Sequence, residues 1–157
     1  MYEEIINRFE MIAHPEGGFF KETYRSKGNT ETEFGTRSLS TGIYFLLPAG
    51  HVSHFHRIKS DEMWHFYSGD PLIVVEIDES GNLIETRLGH DLKNGEVPQY
   101  VVKANRWFGS YPADGSEYSF VGCSVSFGFD FKDFELANRG CLEKEFPQHQ
   151  EMIKRLT

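Results

Sequence analysis

Residues 50–81 run GHVSHFHRIKSDEMWHFYSGDPLIVVEIDESG, an alternation of strand formers and turn formers. Runs of strand-forming residues at 52–57, 61–67 and 72–78 are divided by turn clusters, Ser68-Gly69-Asp70-Pro71 and Asp78-Glu79-Ser80-Gly81-Asn82. Short strands at close intervals, punctuated by Gly, Pro, Asn and Asp, build a sandwich or a barrel. The same rhythm continues outward. Upstream lie a strand at 38–47 closed by Pro48-Ala49-Gly50 and a strand from Phe19 to Arg25, with a polar loop at 26–36 between them. Downstream, strands are read at 83–88, 99–103, 105–110, 117–122 and 123–129, with turns at Lys93-Asn94-Gly95 and Pro112-Ala113-Asp114-Gly115.

Only the ends read as helices. Residues 2–11 place Ile5, Ile6 and Phe9 on one face, and His14-Pro15-Glu16-Gly17-Gly18 stops them. In the tail, 138–157, Pro147 suits a first helical turn, and Met152, Ile153 and Leu156 form a small apolar stripe. No repeat or linker divides the chain, so residues 1–157 are read as a single domain of the all-β class.

Composition agrees with that class. The chain has 157 residues, 15% of them aromatic, including 14 Phe and 7 Tyr, with 15 Gly; aromatics favour half-buried pleated surfaces and glycines mark turns. The formal net charge of -8 argues against nucleic acid, whose binding needs a basic footprint. No window of ~18 apolar residues suggests a membrane span, and no signal-peptide pattern is seen. Cys123 and Cys141 lack paired spacing and suit a reducing, cytoplasmic setting. Cys123 reads as a buried inert thiol.

The chemistry-bearing residues cluster around the opening stretch. Alternate residues of a strand share a face, so His54 and His56 point the same way, and Glu62 on the next strand can join them. Two imidazoles and a carboxylate are a donor set for Fe, Mn, Ni or Zn. Without a metal, His56 and Glu62 are an acid/base pair. Trp64 shares the Glu62 face, whereas His65 faces away unless a bulge intervenes. In the strand from Phe19 to Arg25, charged residues fall on both faces, so one face lines a wet cavity or an open edge; Glu22 and Arg25 are its candidates. Arg25 or Arg57 would hold an anionic group, and Trp64, Trp107 and Phe108 would stack on a ring. Asp130, within Phe127-Gly128-Phe129-Asp130-Phe131, reads as a capping residue, with a pocket acid as the alternative.

The string from Gly50 to Gly69 resembles the first motif of cupins, Gly-x5-His-x-His-x3,4-Glu-x6-Gly. Three residues separate Gly50 from His54 and five separate His56 from Glu62, while the six-residue gap from Glu62 to Gly69 matches. The whole chain more closely resembles the cupin_5 family, a domain of unknown function. The carrying segments are His14 to Gly18 with Glu22-Thr23, His56-Arg57 with Asp61 to Leu72, Tyr118 to Cys123, Gly128 to Phe131, and Phe146 to His149 with Leu156-Thr157. The resemblance implies a cupin jelly-roll barrel, a homodimer, and likeness to sugar epimerases of the dTDP-rhamnose pathway. Lys103 to Phe108 stands where metal cupins carry Pro-x-Gly-x-x-His, with Trp107 and Phe108 in place of a ligand histidine.

Three functions stay open on these residues. The first is a metal-independent epimerase or isomerase using His56 and Glu62 on a sugar or nucleotide sugar, with Glu22, Arg25, Arg57, Trp64, His65, Trp107 and Phe108 binding the substrate. The second is a non-catalytic metabolite-binding protein. The third is a metal enzyme using His54, His56 and Glu62.

Overall fold

The computed structural model describes residues 1–157. The chain opens with α1 (Tyr2–Arg8), β1 (Ile12–Ala13) and β2 (Phe19–Arg25), followed by β3 (Asn29–Thr32) and β4 (Gly35–Ser38). It continues through β5 (Thr41–Pro48), β6 (Ser53–Arg57), β7 (Asp61–Gly69), β8 (Leu72–Ile77), β9 (Leu83–Leu88) and β10 (Gln99–Val102). Next come β11 (Trp107–Pro112), β12 (Tyr118–Ser126) and β13 (Glu135–Leu136), and the chain closes with α2 (Arg139–Glu145) and α3 (Gln150–Arg155). No helix is long and apolar enough to cross a membrane.

Two antiparallel sheets face each other. One has the order β1-β2-β5-β12-β7-β10 and the other β13-β6-β11-β8-β9. Neighbours in space are thus far apart in sequence, as the jelly-roll expectation requires. The space between the sheets is filled by Phe45, Leu47, Trp64, Phe66, Leu72, Val74, Phe108, Val121 and their neighbours. A second cluster covers the outer side of the five-stranded sheet, where Phe55, Ile73, Val75, Ile77 and Trp107 meet Leu142, Ile153 and Leu156 of the tail. A third, with Leu46 and Phe120, lies under Ile5, Ile6 and Phe9 of α1. This double coverage explains why β8 is apolar on both faces apart from Glu76, with all six of its residues buried.

Two expectations are corrected. The runs at 117–122 and 123–129 merge into the single strand β12. Gly122 is no turn: it pairs with Tyr44 and His65 on either side, and a Cβ there would collide with the Tyr67 ring, so glycine marks a close approach inside a strand. The loop read at 26–36 instead holds the β3–β4 hairpin. Its residues are polar on both faces, so no apolar alternation announces it. Its own Arg37 anchors it to the rest of the chain, with Nε and Nη2 donating to the Asp133 carboxylate at 2.8 and 2.7 Å.

Candidate functional site

A bulge in β6 builds the site. Phe108 and Ser110, two apart on β11, pair with His56 and Ser53, three apart on β6. The extra residue breaks alternation. His56 turns into the barrel, and His54 does not follow it. The His54 backbone N–H donates to the Glu16 carbonyl at 2.7 Å, pinning the turn at 14–18 against the bulge. The turn fits because Gly17 sits at φ 109°, where a Cβ would strike the Val52 carbonyl oxygen. The Glu16 side chain is thereby driven beneath His56.

The result is a cavity of about 300 Å³ at one end of the barrel, within the size range of small-molecule sites. Its ionisable walls are His14, Glu16, Glu22, Arg25, His56, Glu62, Cys123 and Asp130. Phe20, Ile43, Phe45, Ile58, Val125, Phe129 and Phe131, with Thr41, complete the lining. The two groups on which the acid/base expectation rested, His56 and Glu62, therefore open into one hollow. Phenyl rings wall it, and neither indole does.

The charges inside are ordered by proximity. His56 Nε2 lies 2.9 Å from a Glu16 carboxylate oxygen, and His56 Nδ1 lies 2.7 Å from the His54 carbonyl oxygen. Both ring nitrogens face acceptors, an arrangement that calls for the imidazolium. Burial alone would lower the His56 pKa, but the charge and hydrogen bond of Glu16, aided by Glu62, raise it. For Glu16 the balance mirrors this: burial pushes its pKa up, and the His56 charge and hydrogen bond override it and leave it lowered. Glu62 has no such partner. Burial first, and the Glu16 charge second, raise it to about 7, with His56 and the Cys123 thiol opposing. Burial, then the Glu62 carboxylate, pushes the Cys123 thiol well above its usual value, consistent with an inert thiol.

Glu22 and Arg25 form the rim. Arg25 Nε and Nη2 donate to the two Glu22 oxygens at 2.9 and 2.8 Å, and Nη2 also donates to the Phe129 carbonyl at 3.0 Å. Asp130 lines the rim and also caps the short turn after it, accepting from the Lys132 N–H at 2.9 Å; the capping reading and its alternative both hold.

The remaining expected site residues lie elsewhere. Trp64 is 1% exposed and sits deeper in the core, edge-on to Phe45 and Phe108. Phe108 supports the back of the His56 ring at 4.1 Å without reaching the cavity. Trp107 faces the opposite side of β11, under the tail helices. Arg57 stacks on Trp107 at 4.4 Å and pairs with Glu135 at 2.7 Å, outside the barrel. His65 points outward, with Nε2 2.9 Å from Ser124 Oγ and Nδ1 3.3 Å from Gln99 Nε2; β7 carries no bulge there to turn it inward.

The expected metal set does not assemble either. His54 is absent from the cavity wall, both nitrogens of His56 are engaged by the chain, and no group of three His, Cys, Asp or Glu side chains is arranged to hold an ion. The residues present do not fit the metal that the cupin motif suggested.

His14 and Glu16, which the sequence marks as a helix stop and as part of the family resemblance, are cavity residues that the site expectations do not include. The signal was available in part: two ionisable residues flank Pro15 in a segment whose two glycines demand close approach.

A double-sheet jelly roll with a polar hollow at one end defines a cupin-type barrel, and comparison with known proteins narrows this. Residues 3–137 match Cupin_5, described as Cupin superfamily (DUF985); the chain belongs to that family. An uncharacterised protein of Saccharomyces cerevisiae is 33% identical over 146 residues, covering 83% of this chain and 72% of that one. The structure of a protein from Shewanella oneidensis superposes with a TM-score of 0.92 at 41% identity, covering 99% of this chain and 96% of the other. A hypothetical protein from Leishmania major gives 0.92 at 37%, covering 99% and 97%. Oxalate decarboxylase of Bacillus subtilis, a protein with Mn(II) centres, shares the fold at a TM-score of 0.60 and 13% identity, covering 95% of this chain and 38% of that one.

Proposed function

We propose that the chain is a metal-independent isomerase or epimerase that moves a proton beside a carbonyl group of a sugar. The observation that carries this is Glu62: a carboxyl raised to about 7 and open to a small-molecule cavity. A general base works best when its pKa lies near the operating pH. The Glu62 carboxylate would take the proton from the carbon beside the carbonyl, and the resulting carboxylic acid would return it to that carbon or its neighbour. His56 is engaged on both nitrogens, so its part is the fixed positive charge that neutralises Glu16 and prevents both carboxylates from being expelled from the same hollow.

The cavity also narrows the substrate. Arg25 is already forked by Glu22, and His56 is matched by Glu16. Neither cation is free for a phosphate, so the sugar moiety enters the hollow and any nucleotide stays outside.

The test is proton exchange. Chain purified without a metal-affinity tag is incubated in deuterated water with a dTDP-4-keto-6-deoxy sugar and, separately, with D-xylulose. The expected result is NMR-detected deuterium at the carbon beside the carbonyl, slowed ~10²–10⁴-fold in Glu62→Gln. Sugars that raise the melting temperature but never exchange would assign the chain to the non-catalytic, metabolite-binding reading instead.

A further inference from the structure

His14 is a cavity-wall group that the proton transfer by Glu62 leaves unused, and its surroundings fix which nitrogen carries its proton. The Glu16 backbone N–H donates to His14 Nδ1 at 3.1 Å, while the Glu16 carboxylate stands 3.7 Å from the same nitrogen, beyond hydrogen-bond reach. Nδ1 is therefore an acceptor, and the ring proton resides on Nε2. Nε2 has no hydrogen-bond partner in the chain and is not sealed from its surroundings, and the ring that carries it lines the cavity. The ring cannot swing freely. Phe20 holds it edge-on at 4.6 Å, with Phe45, Phe131 and Phe134 at 6.0–6.1 Å around it.

We infer that His14 presents Nε2–H as a fixed hydrogen-bond donor to the carbonyl oxygen of an uncharged hydroxycarbonyl substrate. This rests on the proton-transfer reading above and supplies the half of it that Glu62 cannot. When the C–H bond breaks, its proton forms an O–H bond on Glu62, and its electron pair moves onto the carbonyl oxygen. A neutral imidazole N–H aimed at that oxygen stabilises the developing negative charge without surrendering its proton. Burial, the largest influence on this ring, lowers its pKa and keeps it neutral, reinforced by the His56 charge and opposed by Glu16. The rim and floor offer no unmatched cation, so an uncharged carbonyl compound suits the site better than a phosphorylated one.

Two measurements decide it. In ¹⁵N-labelled protein, long-range proton–nitrogen correlations, with His14 assigned by its loss in His14→Asn, are expected to show the Nε2–H tautomer at pH 7; an Nδ1–H tautomer or an imidazolium overturns the inference. The second uses D-erythrulose, an open-chain ketose, as the probe in deuterated water. In His14→Asn, the side-chain oxygen replaces Nδ1 as the acceptor for the Glu16 N–H, preserving the turn while removing the donor. Exchange is expected to slow at least ~10²-fold, with erythrulose affinity within about threefold and the melting temperature retained. His14→Gln, whose amide N–H reaches the Nε2 position, is expected to recover part of the rate. An exchange rate unchanged in His14→Asn overturns the inference. If the wild-type chain exchanges no probe at all, the proton-transfer reading fails, and the tautomer result still decides the donor.

Discussion

Two glutamates of the barrel interior, Glu76 on β8 and Glu62 on β7, are treated in opposite ways. Glu76 is fully buried and completely matched: Arg106 Nη1 donates to one oxygen at 2.5 Å and Tyr100 Oη to the other at 2.6 Å. Arg106 is itself locked by Glu79 through Nε and Nη2 at 3.0 and 2.7 Å. Glu62, at the cavity, is 8% exposed; an already-paired imidazolium and a thiol are its favourable neighbours, and the Glu16 carboxylate opposes its charge. A carboxylate that holds a fold together is given its own cation and hydroxyl. One suited to exchanging a proton is left short of them, because full satisfaction would fix its charge.

Loss of the cation from the matched cluster should cost the fold most. Arg106→Ala leaves Glu76 buried beside Phe108 with only Tyr100, and stranding a buried charge costs ~3–5 kcal/mol. Urea denaturation at pH 7 is expected to show a loss of that order, while ligand-induced shifts in melting temperature, measured with a sugar that the wild type binds, stay the same size. A loss below ~1 kcal/mol would mean that the cluster is not structural.

Glu62→Gln sharpens the contrast through pH. The folded pKa of Glu62, about 7, lies above its unfolded value. Between those values the folded state holds a proton that the unfolded state has released, so stability falls as pH rises through that window. The effect approaches ~3 kcal/mol from pH 4.5 to 8. The glutamine variant escapes it and is expected to be more stable than wild type at pH 8, with the difference shrinking toward pH 5. Some alkaline decline persists in the variant, because the raised pKa of His56 acts in the same direction. The lowered values of Glu16 and His14 act on the acid side, where their contributions are lost as pH falls. A variant less stable than wild type at pH 8, or a stability difference between the two that does not shrink toward pH 5, would contradict the assignment of Glu62 as the unmatched acid.

The fold was legible in the sequence because its signals are local: strand runs, turn clusters and the apolar stripe of α3 each specify their own element. The convergence of His56 with Glu62 was legible for a similar reason: β6 and β7 are consecutive in sequence, and in a jelly roll they turn their inner faces toward each other from opposite sheets. The rest of the site depends on facts that no local pattern records. The bulge that separates His54 from His56 is a property of the pairing between β6 and β11. Glu16 reaches His56 only because a backbone bond from His54 draws a distant turn inward. Trp64 and Phe108 face the interior as alternation predicts, but alternation gives the face and not the depth, and both lie below the cavity floor.

The same limit accounts for the two arginines expected to hold an anion, and it gives the smallest of the predicted effects. Arg25 sits on the rim, and Arg57 lies on the far side of β6, stacked on Trp107 and paired with Glu135, both groups partly open to water. Arg57→Ala removes an exposed cation–π contact and an exposed ion pair, worth together about 1 kcal/mol. It touches nothing in the hollow. Melting temperature is therefore expected to fall by a few degrees, with sugar binding and exchange unaltered. Arg25→Ala frees Glu22 at the mouth and adds negative charge there, so its effect should appear in ligand affinity and its dependence on salt. Should Arg57→Ala instead weaken binding as much as Arg25→Ala does, the outer face of β6 would belong to the ligand site, and the division between the matched structural charges and the unmatched cavity would no longer follow the wall of the barrel.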